Sequence, residues 1–290
     1  MRFEFIAAEK AGFPVAALCR AMQVAPSGFY AWAKRPPSRR SKEDVKLKVH
    51  IKASHKKSRK TYGSPRIHKD LMVEGIVVGQ KRVARLMRED GLRGTRPKKF
   101  KVTTNSKHNK PVAPNILNRD IAAVTTTNKV WVSDITYIWT GQGWLYLAVM
   151  IDVFSRRIVG YQIDDHMRAE LVTDALNSAI EARDIGTDLM HHSDRGSQYV
   201  SDNFLALAHK HKITLSMSRK GNCWDNAVAE SFFASLKKDL IYRQSWFSKK
   251  QVTDAINEYI VWYNRERRHS SLGYLSPADY ERLTMLAMVA

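Results

Sequence analysis

The sequence predicts an α/β fold, a mixed five-stranded sheet with flanking helices, preceded by basic helical modules. Two observations predict it. From about residue 124 onward, three β-branched and aromatic runs come in succession, and short strands then alternate with amphipathic helices. Before that point, apolar residues recur at helical spacing through a segment that carries all of the chain's excess charge.

The charge bounds the function. The 290-residue chain has a formal net charge of +20. Residues 1–110 hold 28 Lys and Arg against 8 Asp and Glu, and the remainder holds 20 of each. So one-sided a field attracts a polyanion. A solvated basic tail gives the same count. An anionic membrane surface fits less well, because turn signals interrupt the basic stretch and no long amphipathic helix is present. Nucleic acid is the expected partner. No apolar run approaches the ~20 residues of a membrane span, and the start MRFEFIAAEK lacks a secretory pattern. Two cysteines, Cys19 and Cys223, cannot build a disulfide framework, so a reducing cytoplasm is expected.

Along the chain, Val15, Leu18, Cys19 and Met22 share a helical face, and Phe29, Tyr30 and Trp32 follow the break at Pro26-Ser27-Gly28. Residues 1–45 therefore read as a helix–turn–helix-like unit, with a basic, Pro-containing separator from Lys34 to Arg40. Residues 46–95 read as a second one. Ser64-Pro65 opens a helix with Ile67, Leu71 and Met72 inward, and Gly75 ends it. The next helix turns Val83, Leu86 and Met87 inward and stops at Gly91. Lys81, Arg85 and Arg88 fall at i, i+4 and i+7 on it, the basic face a recognition helix lays on DNA. Residues 96–123, with Lys98, Lys99, Lys101, Lys107 and Lys110, form a basic linker able to track phosphates.

In the domain assigned to residues 124–240, Val130–Trp139 and Trp144–Val153 flank Gly141-Gln142-Gly143, a hairpin signal. Ile158–Ile163 is a third strand, Ala169–Arg183 a helix, Leu189–His192 a strand, Asp202–His211 a helix, Ile213–Met217 a strand and Asn226–Leu240 a helix. Residues 241–290 form a helical tail in which Tyr259, Trp262 and Tyr263 pack. The layout of the 124–240 domain resembles ribonuclease H.

Such a sheet gathers carboxylates. Asp134 lies mid-strand, where an unpaired charge is costly. Asp194 follows a strand's carboxyl end, and Glu230 lies on the late helix that packs across both. Three oxygen donors without thiolate or paired imidazole suit Mg²⁺ or Mn²⁺. Two such ions, about 4 Å apart, promote phosphodiester displacement. Taken singly, each residue has a structural reading: a buried acid paired with arginine, a turn residue with Gly196, a helix-surface ion pair. A hairpin turning at Gln142 places Asp152 opposite Val132 and on Asp134's face, a possible fourth acid. His192 reads as a packing or DNA-contact residue rather than a base, Arg195 as a phosphate contact or the partner of a local acid, and Trp224 and Asn226 as DNA contacts or, for Trp224, core.

The runs WVSDITYI (131–138), HSDRGSQY (192–199) and NCWDNAVAESFFASLK (222–237) resemble the bacterial insertion-sequence transposases of the retroviral-integrase superfamily, and among them the second-frame product. That group's triad is Asp, Asp, Glu with 35 residues between the last two, the number that separates Asp194 from Glu230 here. The group also carries a basic residue seven positions after the glutamate, here Lys237, which shares Glu230's helical face. The tail WYNRERRHSSLGYLSPADY (262–280) resembles the group's as well. Departures stand at Ser133, Arg268 and Asp239, where threonine, proline and glutamate are usual; they bear on DNA contacts rather than on the triad. Cys19 has no partner cysteine nearby, so the zinc module of retroviral integrases is not expected.

The resemblance implies that basic amino-terminal helices bind the element's terminal inverted repeats. Metals on Asp134, Asp194 and Glu230 then free a 3′-OH that attacks a second phosphodiester of element or target DNA. It also implies a homo-oligomer on paired ends and an upstream helix–turn–helix protein fused by frameshifting. Two rivals are a junction-type nuclease on the same fold and a non-catalytic DNA-binding regulator. The 35-residue spacing with Lys237 argues against the first and the intact triad against the second.

Overall fold

The computed structural model describes residues 1–95, 113–118, 120–219 and 226–289. The linker lysines Lys98, Lys99, Lys101, Lys107 and Lys110, with Cys223 and Trp224, lie outside the described residues.

Helices α1 (Arg2–Glu9), α2 (Val15–Ala21) and α3 (Pro26–Lys34) open the chain. They enclose a small core of Ile6, Leu18, Cys19 and Phe29, against which Phe3 and Trp32 pack. Helix α4 (Arg39–Lys57) departs from the sequence reading, because it replaces part of the separator and runs through the boundary at residues 45/46. Its buried positions are Leu47, Ile51, Ser54 and His55, one helical face in which half the residues are polar. Hydrophobic periodicity is blind to such a face. Helices α5 (Ser64–Val73) and α6 (Gln80–Glu89) follow as expected. Gly75 and Gly91, with φ of 77° and 66°, end them in the left-handed region.

The sheet has the order β3-β2-β1-β4-β5. Strands β1 (Val130–Thr140), β2 (Gly143–Asp152) and β3 (Ile158–Asp164) form the antiparallel meander. Strand β4 (Met190–Ser193) runs parallel to β1, and β5 (Thr214–Met217) parallel to β4. Helices α7 (Ala169–Ala182) and α8 (Asp202–Lys210) cover the face of Trp131, Ala148 and Met150. Helices α9 (Ala227–Asp239) and α10 (Lys249–Arg265) cover the face of Val132, Leu147 and Val149. This is the predicted fold class.

The hairpin register corrects one expectation. Thr140 pairs with Gly143, and Asp152 therefore pairs with Trp131 instead of Val132. A one-residue slip moves a side chain to the other face, so Asp152 stands on the face opposite Asp134. Its carboxylate accepts hydrogen bonds from the N–H groups of Ser155 and Asn128 and from the Ser155 hydroxyl. It shapes a turn.

The second module packs onto the tail. Leu47, Ile67 and Leu71 share one core with Tyr259 and Trp262. The Tyr62 hydroxyl accepts from the Arg268 N–H at 2.6 Å, Arg66 donates to the Arg268 carbonyl at 2.9 Å, and Arg268 pairs with Asp70. Helix α11 (Pro277–Val289) closes the described chain, with buried Glu281 paired to Arg157 and Arg183. Among the described residues, no helix is long and apolar enough to cross a membrane.

Candidate active site

Strand β4 pairs with β1 only along Val130–Val132, so past that point β1's outer edge is open, and α9 packs beside it. This break in the pairing gathers the acids. Asp134 is the second residue beyond it; Asp194 directly follows β4; Glu230 lies in the first turn of α9. Asp134 Oδ1 accepts from the Ile135 N–H at 2.8 Å, and Asp194 Oδ1 from the Gly196 N–H at 2.9 Å. Burial, then the negative charges of Asp194 and Glu230, push the Asp134 carboxyl up to about 8, against the opposing pull of the Ile135 N–H and the Lys237 ammonium. Burial also raises Glu230. Lys237, two turns along α9, is lowered by burial and held up by Asp134. Asp194, Glu230 and Lys237 thus all act electrostatically on Asp134.

The surroundings hold β1 in place. Ser133 Oγ lies 2.7 Å from His191 Nε2, and His191 packs on Tyr199 and Phe204. Burial drives His191 down to about 3, so the ring is neutral. Asn226, at the N-terminal end of α9, is buried, and its amide donates to the Ser133 carbonyl at 2.9 Å. Asn226, expected as a DNA contact, thus ties Glu230's helix to Asp134's strand through its amide nitrogen, a tie that no sequence signal marked.

Other expected contacts are redistributed. Arg195 donates to the Ser218 carbonyl at 2.8 Å, joining the loops after β4 and β5. His192 is buried, with Nδ1 2.9 Å from Ser216 Oγ. On α6, Lys81 and Arg88 are exposed, whereas Arg85 is ion-paired to Asp44 and Glu89. The basic face is real at two of its three positions; the third ties α6 to α4. The departures at Asp239 and Arg268 are internal. Buried Asp239 pairs with buried Arg267 at 3.2 Å and accepts from Thr95 at 2.9 Å.

The donor set fits a divalent cation. All three side chains offer oxygen, and a half-buried carboxylate opposed by two others is what such a cation neutralises. Among the described residues, the ligand atoms that lie within 4.8 Å of one another belong instead to Asp164, Asp165 and His166. That group is already compensated, because His166 pairs with Asp164 and Lys249 with Asp165.

Comparison with known proteins adds independent information. Models of the integrase core domain match residues 125–223 and 211–277, and a model of an HTH-like domain matches residues 42–100. The uncharacterized 31 kDa protein of insertion element IS600 from Shigella sonnei is 44% identical over 264 residues, covering 91% of this chain and 97% of that one. Transposase InsF for insertion sequence IS3A from Escherichia coli strain K12 is 38% identical over 284 residues, covering 97% and 98%. Among solved structures, the catalytic core domain of BIV integrase aligns with a TM-score of 0.44 at 19% identity, over 56% of this chain and 99% of that one.

Proposed function

The chain belongs to the insertion-sequence transposases of the integrase superfamily, a DNA transposase and hence a polynucleotidyl transferase, and from that premise we propose that Asp134, Asp194 and Glu230 are its catalytic residues. The observation that carries the reading is the convergence of three elements: the open edge of β1 with half-buried Asp134, the end of β4 with Asp194 and the first turn of α9 with Glu230. The latter two acids stand close enough for their charges to act on Asp134. They would hold two Mg²⁺ ions, with Mn²⁺ able to substitute. When bound, these would supply Lewis-acid activation of the attacking oxygen and charge neutralisation at the leaving one.

The chain's own residues do the positioning. Lys237 places an ammonium beside Asp134, where it holds a phosphate of the reacting strand. Asn226 and the Ser133–His191 pair fix β1 so that Asp134 keeps its orientation. The reaction is hydrolytic release of a 3′-OH at a terminal inverted repeat, followed by attack of that 3′-OH on a phosphodiester. The first attack joins the element's ends into a circle, and integration follows. A homo-oligomer on paired ends, a fusion with an upstream helix–turn–helix protein, and a cytoplasmic, nucleoid-bound setting complete the reading.

Strand transfer on labelled, pre-cleaved element ends with Mg²⁺ tests it. Wild type forms joined products, and Glu230→Gln loses about two or more orders of magnitude while binding the same DNA. Equal joining by both proteins refutes the assignment. Cleavage products without joined ones favour a nuclease.

The DNA-binding face is tested by titration across salt. Lys81→Ala and Arg88→Ala each weaken binding irrespective of sequence and lower the salt slope by about 1. Arg85→Ala instead loosens α4 from α6, because Asp44 loses a partner, and lowers the melting temperature. An unchanged slope in the first two variants removes α6 from the interface.

A further inference from the structure

Beyond the acids, β1 and β2 end in an exposed aromatic group. Trp139 is 60% exposed, Trp144 43% and Tyr137 36%. They touch edge to face, with ring centroids 5.2 Å apart for Tyr137–Trp144 and 4.9 Å for Trp139–Trp144. The register explains the cluster: Trp139 pairs with Trp144 and Tyr137 with Tyr146, so all lie on one face of the hairpin.

The hairpin tip is fixed. The Gly141 N–H donates to the Trp246 carbonyl at 2.8 Å, and Gln142 Oε1 accepts from the Lys249 N–H at 3.0 Å. A Cβ at Gly141 would stand 2.7 Å from the Phe247 carbonyl oxygen, so the approach requires glycine. Such pinning pre-organises the rings. Lys237 connects them to the acids, with its Nζ 5.4 Å from the Tyr137 ring centre.

We infer that Tyr137, Trp139 and Trp144 form a stacking platform for unpaired bases of the DNA strand beside the reacting phosphate, an inference that rests on the active site proposed above. Exposed rings next to a cation match the two halves of a nucleotide, a π-face and a phosphate. By the hairpin register the rings stand on the face opposite Asp134. What links them to the acids around the open edge of β1 is Lys237, whose ammonium lies beside the Tyr137 ring and acts on Asp134. From Asp134, Tyr137 and Trp139 are three and five residues away, about 10 to 17 Å at the rise of a strand. That is about three to five stacked base steps of 3.4 Å. A second copy of this chain is the competing occupant, and the self-association arm of the test separates it from a DNA strand.

The test compares binding of a fluorescent oligothymidine strand of about twelve nucleotides with an abasic strand of equal length and charge. It reads affinity alone, so it stands or falls separately from the assignment of Glu230. Wild type binds oligothymidine about tenfold more tightly than the abasic strand. Trp139→Ala loses that preference while binding the abasic strand as wild type does, and Trp139→Phe restores it. Exposure of the ring makes folding of these variants straightforward to verify by thermal melting. A preference retained in both Trp139→Ala and Trp144→Ala overturns the proposal. So does a variant that binds both strands normally but has lost self-association in sedimentation, which assigns the rings to a protein interface.

Discussion

Replacing Asp134 with asparagine is expected to lower strand joining by at least about a thousandfold and, at the same time, to stabilise the metal-free protein at pH 8. The two effects have one cause. On the proposed assignment a carboxylate in this position binds cations, yet it is partly buried and faces the charges of Asp194 and Glu230, which holds its pKa at about 8. The folded protein therefore binds one more proton than the unfolded chain between about pH 4 and pH 8. Because the folded pKa is the raised one, the protonated carboxyl's share of stability is complete below about pH 4 and is lost as pH rises through 8. Asparagine keeps the shape without that loss and gains on the order of a few kcal/mol at pH 8. Melting curves without divalent ions, run from pH 5 to pH 9, check it: wild type falls relative to Asp134→Asn as pH rises. Parallel curves would mean that Asp134 is ionised at neutral pH in the absence of metal. Calorimetry in buffers of different ionisation heat gives the companion result, with Mg²⁺ binding displacing a proton near pH 7 and none near pH 9.

The second large effect lies away from the acids. Arg267→Ala leaves Asp239 buried without its guanidinium, and the expected loss is about 3–5 kcal/mol in urea unfolding. Asp239 ends the helix that begins near Glu230 and also receives the Thr95 hydroxyl from the second module. Joining should therefore fall together with the folded fraction. Replacing both partners with apolar residues, as Arg267→Met with Asp239→Leu, recovers most of the loss, because no charge is then stranded. If the double variant is as unstable as the single one, the pair is specific in geometry rather than a matched burial of charge.

Much of this protein was legible in one dimension. The strand and helix order from Val130 to Asp239 follows from runs of β-branched residues and helical periodicity, which are local properties. The acids at 134, 194 and 230 and the basic residue at 237 stand out because the proposed chemistry calls for those residue types at that spacing. What was hidden was relational. Helix α4 escaped notice because its buried face includes Ser54 and His55, whose partners, Asp70 and the Arg93 carbonyl, are far away in sequence. Asn226 and Arg85 were expected as DNA contacts, and their internal partners, the Ser133 carbonyl and Asp44, were visible only in the structure.

By itself, then, the sequence determined the fold class, the basic character of the first third and which acids to propose for the site, since periodicity, charge and residue spacing are written along the chain. Only the tertiary structure decided the hairpin register that turns Asp152 away from Asp134, the partial burial and neighbouring charges that raise Asp134, and the exposure of Trp139 and Trp144. Each of these depends on which distant segment a residue meets, and a shift of one residue in a strand is enough to reverse the answer.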